Sequence, residues 1–192
     1  TTSRMVIVSN YELIEKSDSG VFVISEFFVR NLEQVSCPCC GGQFNVIGSR
    51  ERKYIDSEGN KIVLRIRRLR CKMCRSIHHE LPDILVPYKR HCSESIESVL
   101  NPREALCVAA DDSTIRRWRS WFRGCMDHFL GCLESIAIRL GRRTAKKMTH
   151  SSKSRLQRVI DFVGDAPGWL ARIVRPVANT NNWIHTRYAF LS

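Results

Sequence analysis

Apolar and polar positions alternate along residues 62–67, where Ile62, Leu64 and Ile66 are separated by Val63, Arg65 and Arg67. A period of two marks a strand with one buried face, and here the other face becomes increasingly basic. Residues 46–54 read as a companion strand, and the turn-rich stretch 56–60 joins the two into a predicted β-hairpin. Shorter strands are predicted at 5–8 and 21–24, on either side of a turn at 17–20. Residues 25–32 suit a strand or a short capped helix, and their periodicity does not separate the two. Residues 80–87, carrying Pro82 and Pro87, read as an extended connector.

From Ser93 onward the period lengthens to that of a helix. Residues 93–100 place Ile96 and Val99 on one face, and 104–109 predict a short helix with Pro102 at a suitable start. Asp111, Asp112 and Ser113 supply N-cap chemistry for a helix over 113–123, where Ile115, Trp118 and Phe122 fall at i, i+3 and i+7. Met126, Phe129, Leu130, Leu133, Ile136, Ala137 and Leu140 continue as a helical apolar stripe. Further helices are expected over 154–163 and from Pro167, the latter with Trp169, Leu170, Ile173 and Val174 as its apolar side. The end of the chain, 179–191, is too aromatic for a loose tail and is expected to dock on the protein or on a protein partner.

The fold class these patterns predict is α+β. An N-terminal part, 1–90, holds a strand segment and a zinc ribbon, a β-hairpin with a four-cysteine site. An all-helical part, 91–192, holds a helix-turn-helix at 93–123 and the C-terminal helices.

The chemistry that changes this picture is in the cysteines. Cys37-Pro38-Cys39-Cys40 and Cys71-Lys72-Met73-Cys74 each have Cys-x-x-Cys spacing, with thirty residues between them. Two such knuckles closing one tetrahedral shell make a structural Zn2+ site of Cys37, Cys40, Cys71 and Cys74. Four protein thiolates leave no open position for water or substrate. Gly41 and Gly42 allow the positive φ that a knuckle needs after its second ligand. Cys39 lies within the first knuckle and competes with its neighbours as a ligand. His78, His79, His91 and Cys92 follow closely, but with four thiolates in hand they read as packing or hydrogen-bonding groups. Cys92, Cys107, Cys125 and Cys132 read as small buried side chains. A segment of about forty residues is too small to hold a core unaided. A structural zinc supplies on the order of 10–16 kcal/mol, so without metal this part is expected not to fold.

Charge bounds the partner. Net charge is +12, and its distribution is uneven: residues 1–112 hold 16 Lys/Arg against 15 Asp/Glu, whereas 113–192 hold 15 against 4. A second basic patch, with Arg65, Arg67, Arg68 and Arg70, lies on the hairpin. Concentrated cationic patches suit a polyanion, with nucleic acid ahead of an acidic membrane and DNA ahead of RNA. In the helix over 113–123, Ser113, Thr114 and Arg117 are the candidates for base edges. Arg116, Arg119 and Arg123 suit phosphates, and Ser120 shares their surface. No apolar run approaches the roughly 20 residues of a membrane span, no secretory leader is visible, and a cytoplasmic protein is expected.

The run from Ile66 to His79, with Cys37 to Gly42 before it, resembles the zinc-ribbon heads of bacterial insertion-sequence transposases. So does the continuation through Val86-Pro87-Tyr88-Lys89-Arg90 to Asp112–Trp118. The likeness is greatest to small bacterial proteins of uncharacterised function that carry the ribbon and helix-turn-helix alone. It implies zinc at the four cysteines named, DNA contact from the helix at 113–123, and an accessory or regulatory role in a mobile element. Transposase catalysis needs three carboxylates holding two metal ions. After residue 123 only Asp127, Glu134, Asp161 and Asp165 remain, in helical sequence where they read as an exposed face. A non-enzymatic protein is therefore expected. The rivals are a transposase- or nuclease-like enzyme and a protein-interaction module.

Overall fold

The structure, a computed structural model, describes residues 4–16, 25–101, 108–141 and 154–183. Six strands, β1 (Arg4–Val8), β2 (Tyr11–Glu15), β3 (Glu26–Asn31), β4 (Phe44–Ile55), β5 (Lys61–Cys71) and β6 (Ile77–Pro82), form one curled sheet. Four helices follow: α1 (Ser93–Leu100), α2 (Asp112–Arg139), α3 (Arg155–Val163) and α4 (Trp169–Asn179).

Strand β5 is the seam of the sheet. One of its edges pairs antiparallel with β4 from Lys61 to Cys71. Its other edge is shared, with β3 running parallel against Val63, Leu64 and Arg65, and β6 antiparallel against Arg68, Leu69 and Arg70. β2 extends the sheet from β3, and β1 extends it from β6. A strand this heavily bonded has no solvent-facing edge, so its alternation of side chains decides what each face of the molecule carries.

The helices cover one face of the sheet. Ile7, Val29, Tyr54, Leu64, Ile66 and Leu81 share a single core with Ile96, Trp118, Phe122, Phe129, Leu170 and Ile173. Side-chain hydrogen bonds tie helix to sheet and helix to helix beyond apolar contact. Asn179 of α4 donates to the Ile7 carbonyl and accepts from the Ile7 amide, both at 2.8 Å, which closes the free edge of β1. The Glu97 carboxylate of α1 accepts from the amides of Gly168 and Leu170 at 2.7 and 2.8 Å and so caps the start of α4.

These facts correct the expected fold class. The cysteine-bearing hairpin is not a ribbon standing ahead of a helical half. Its second strand, β5, is the middle of a six-stranded sheet, and Leu64 and Ile66, at 0% and 1% exposure, belong to the core the helices share. The helix-turn-helix over 93–123 is also overturned. The helix expected to end at 123 runs 28 residues without a break, because its buried stripe continues through Cys125, Phe129, Leu130 and Leu133. Residues 108 and 109, the end of the helix expected at 104–109, are not helical, and 102–107 lie outside the described residues. The turn at 17–20, the strand at 21–24, Cys107 and the chain beyond 183 lie outside them too.

Other expectations meet the structure more closely. Residues 93–100 are helical as their pattern predicts, and the helix over 154–163 is present as α3. The segment at 25–32 is a strand. Residues 77–82, which overlap the extended connector expected at 80–87, form an interior strand whose side chains from His78 to Pro82 are all buried. Burial on both faces removes alternation, and the signal for a strand with it. Trp183 docks on the protein, its ring stacked on Phe129 at 6.0 Å. No helix among the described residues is long and apolar enough to cross a membrane.

Candidate metal centre and cationic strip

Two loops built alike present the four cysteines. In the first, the Cys37 amide donates to the Gly42 carbonyl at 2.9 Å, and the Cys40 and Gly41 amides turn back to the Cys37 carbonyl. In the second, the Cys71 amide donates to the Ser76 carbonyl at 3.0 Å. The residue after the second cysteine is left-handed in both, Gly41 at φ 73° and Arg75 at φ 61°. Gly42 has no room for a side chain, since an added Cβ would lie 3.0 Å from the Cys71 sulfur. The β4–β5 pairing sets Phe44 opposite Cys71 and the Lys72 amide donates to the Gln43 carbonyl, which brings the two loops together.

The sulfurs of Cys37, Cys40, Cys71 and Cys74 all lie within 4.8 Å of one another. Cys37 and Cys74 are 3.6 Å apart, and Cys40 and Cys71 3.5 Å. A tetrahedral shell with metal–sulfur bonds of 2.3 Å puts its sulfurs about 3.8 Å apart, so this set fits a metal ion with little adjustment. Local donors favour thiolates at the second loop. The Ser76 hydroxyl and amide bring the Cys74 thiol down to about 6. Burial opposes ionisation of Cys71, but the Cys74 and Met73 amides outweigh it and lower that thiol as well. Burial raises Cys37.

Cys39 is turned out of this shell. Its sulfur accepts from Arg4 Nη1 at 2.7 Å and lies 3.9 Å from His78 Nε2. Cys92, Cys125 and Cys132 are buried, and His91 packs edge-on against Trp118 at 4.8 Å.

The candidate DNA contacts of the hairpin divide by face. Arg65 is engaged by Glu26 at 2.8 Å and Glu51 at 3.2 Å. Arg67 makes two bonds to Glu80, at 2.7 and 2.9 Å. Arg68 and Arg70 point to the opposite face, and among the described residues neither has a carboxylate partner. Arg68 stands opposite His79 in the β5–β6 register. Arg50 and Arg68 both flank His79, and Arg50 and Arg90 both flank Arg52. Arg52 donates to the Lys89 carbonyl, and the Lys89 ammonium lies 4.2 Å over the Trp121 ring, close to Arg117. A strip of cations therefore runs from β5 across β4 and the 89–90 loop to Arg117 in the second turn of α2. Burial, with Arg117 adding to it, brings Lys89 down to about 8.

Sequence reading missed Arg50, Arg52, Lys89 and Arg90, because only the β4 register and the loop's path bring them together. On α2, Asp111 caps the helix, accepting from the Thr114 amide at 2.7 Å and the Ser113 hydroxyl at 2.6 Å. Arg117 reaches the Thr114 hydroxyl at 2.8 Å, Arg116 the Asp112 carbonyl, and Arg119 the Val99 carbonyl. Ser120 and Arg123 are exposed. Among the described residues, Asp127, Glu134, Asp161 and Asp165 do not gather into a metal-binding group.

His79 is 8% exposed, and its Nδ1 has no hydrogen-bond partner. Burial first, then Arg50 and Arg68, bring it down to about 4. In the unfolded chain a histidine titrates near 6.5, so the unfolded state takes up the proton first. Stability is complete above that value and falls as pH drops from about 6.5 towards 4, by up to about 3 kcal/mol. Urea midpoints at the two ends of this window measure it, and the His79→Gln variant is expected to lose that part of the dependence.

No curated protein and no solved structure matches the chain. Residues 37–118, which carry both cysteine loops, strands β4 to β6 and the strip as far as α2, match the family model described as a domain of unknown function, DUF6431.

Proposed function

We propose that this is a zinc-stabilised, non-enzymatic nucleic-acid-binding protein, with duplex DNA as its polymer. The four thiolates hold one structural zinc, and the cationic strip carries the phosphodiester backbone. Four soft sulfur donors in a tetrahedral set suit zinc, and a shell filled by protein leaves it no place for substrate. The ion's work is to pin the two loops, and with them the ends of β4, β5 and β6 from which Arg68 and Arg70 project.

One observation carries the DNA reading, the segregation of the arginines of β5 by partner. Arg65 and Arg67 are neutralised by carboxylates. On the other face Arg68, Arg50, Arg52 and Arg90 crowd together, and among the described residues none has an acidic partner. Like charges held this close repel, and a polyanion laid along them relieves the repulsion. Exposed Ser113 and Arg117, with half-buried Thr114, at one end of the strip suit base contacts, and Arg116 and Arg123 suit phosphates. The resemblance to transposase heads supports DNA as the polymer and an accessory role in a mobile element as the setting.

Titrating a labelled duplex by anisotropy at several salt concentrations tests this. Four neutralised phosphates give a slope of log K on log salt of about −4, since each contributes roughly −0.9. Arg50→Ala and Arg68→Ala are each expected to flatten it by about 1, and Arg65→Ala to leave it unchanged. Equal affinity for single-stranded RNA would remove the duplex, and no binding of either polymer at low salt would end the reading. Mg2+-dependent cleavage of the bound duplex would make the protein an enzyme instead.

A further inference from the structure

Cys39, Cys37 and His78 make a second set of metal donors beside the four-thiolate shell. Their ligand atoms also lie within 4.8 Å of one another. His78 Nε2 is 3.5 Å from the Cys37 sulfur and 3.9 Å from the Cys39 sulfur. For a tetrahedral zinc with bonds of 2.3 Å to sulfur and about 2.05 Å to nitrogen, a sulfur and a nitrogen lie about 3.6 Å apart. His78 is held in place for this: its ring is fully buried, with Phe44 edge-on at 5.1 Å. We infer that the protein binds a second thiophilic divalent cation, Zn2+ or Cd2+, at Cys39 and His78, with Cys37 as a thiolate bridging the two ions.

Charge supports the pair. One divalent ion on four thiolates carries −2, and the Cys39 thiolate takes this to −3. A second ion brings the cluster to −1, and Arg4, 2.7 Å from the Cys39 sulfur, offsets the remainder. Binding the second ion releases the Cys39 proton and uses the Nε2 lone pair of neutral His78, whose ring proton then sits on Nδ1. That atom is buried without an acceptor, where a metal-bound histidine ordinarily donates its other N–H. The second ion is therefore held at least tenfold more weakly than the first. Three protein donors leave its fourth position to water.

The inference rests on the four-thiolate reading, and stoichiometry separates the two. The full chain is stripped of metal under reducing conditions and titrated with Zn2+ alone against a chromophoric chelator, then with 113Cd2+ followed by NMR. The expected result is two equivalents of unequal affinity and two cadmium resonances, one from an all-sulfur shell and one from a mixed sulfur–nitrogen shell. Cys39→Ser, at a half-buried position, keeps the first equivalent and loses the second, and His78→Gln does the same. A single equivalent at saturating metal, or two equivalents retained in both variants, overturns the second site and leaves the first intact. No bound metal at all removes both.

Discussion

Stripping the metal, by chelator or by Cys71→Ser, is expected to unfold the two cysteine loops and the adjoining ends of β4 and β5 while the helical core survives. The loops have little else to hold them: Cys40 and Cys74 are exposed, and the contacts there are mostly turn hydrogen bonds. A structural zinc contributes on the order of 10–16 kcal/mol, more than these loops replace by other means. At the other end of the same hairpin, Leu64, Ile66 and Tyr54 lie in a core with Trp118, Phe122 and Trp169 that does not involve the metal. Hydrogen exchange reads the difference. Amides of 37–46 and 69–79 should lose protection without metal, and those of α2 should keep theirs. Loss of α2 in the same step would mean that the ion supports the whole molecule. Unchanged protection throughout would mean that no ion is bound there.

Arg67→Ala and Arg68→Ala, one residue apart, are expected to have opposite consequences. Glu80 is 1% exposed and accepts two bonds from Arg67 and one from Asn31. Removing the guanidinium leaves a buried carboxylate short of its counter-charge, at a cost of about 3–5 kcal/mol. DNA affinity of the folded variant should not change. Arg68 has no acidic partner among the described residues, so its loss should move stability by less than about 1 kcal/mol. Its effect falls instead on the salt slope of binding. Chemical denaturation and anisotropy on the same two variants test both halves. A destabilised Arg68→Ala with unaltered binding would place the polymer elsewhere.

Short-range patterns were legible in the chain. The Cys-x-x-Cys pairs, the turn between the strands that follow and the Asp111 cap all depend on residues a few positions apart. The four sulfurs converge because one hairpin turn returns the second pair to the first. The helix over 93–100 was readable for the same reason, since its buried face repeats within the segment. Less was legible where burial came from far away. β6 showed no alternation because β5 and β1 flank it and both its faces are covered. The helix-turn-helix was inferred from a true N-cap and a true apolar stripe, but the stripe had no stop at 123 and the helix continued.

The donor set, four cysteines in two Cys-x-x-Cys pairs, and the surplus of positive charge were both open to reading, because both follow from residue type and local spacing. Which arginines of the hairpin lack an acidic partner among the described residues follows from the sheet pairing instead. Pairing β5 with β3 and β6 along one edge sets Glu26 and Glu80 against Arg65 and Arg67 and turns Arg68 away to join Arg50, Arg52 and Arg90. Partners that come from 13 to 39 residues away leave no trace in the local pattern, since a strand's alternation assigns each side chain to a face but not what waits for it there.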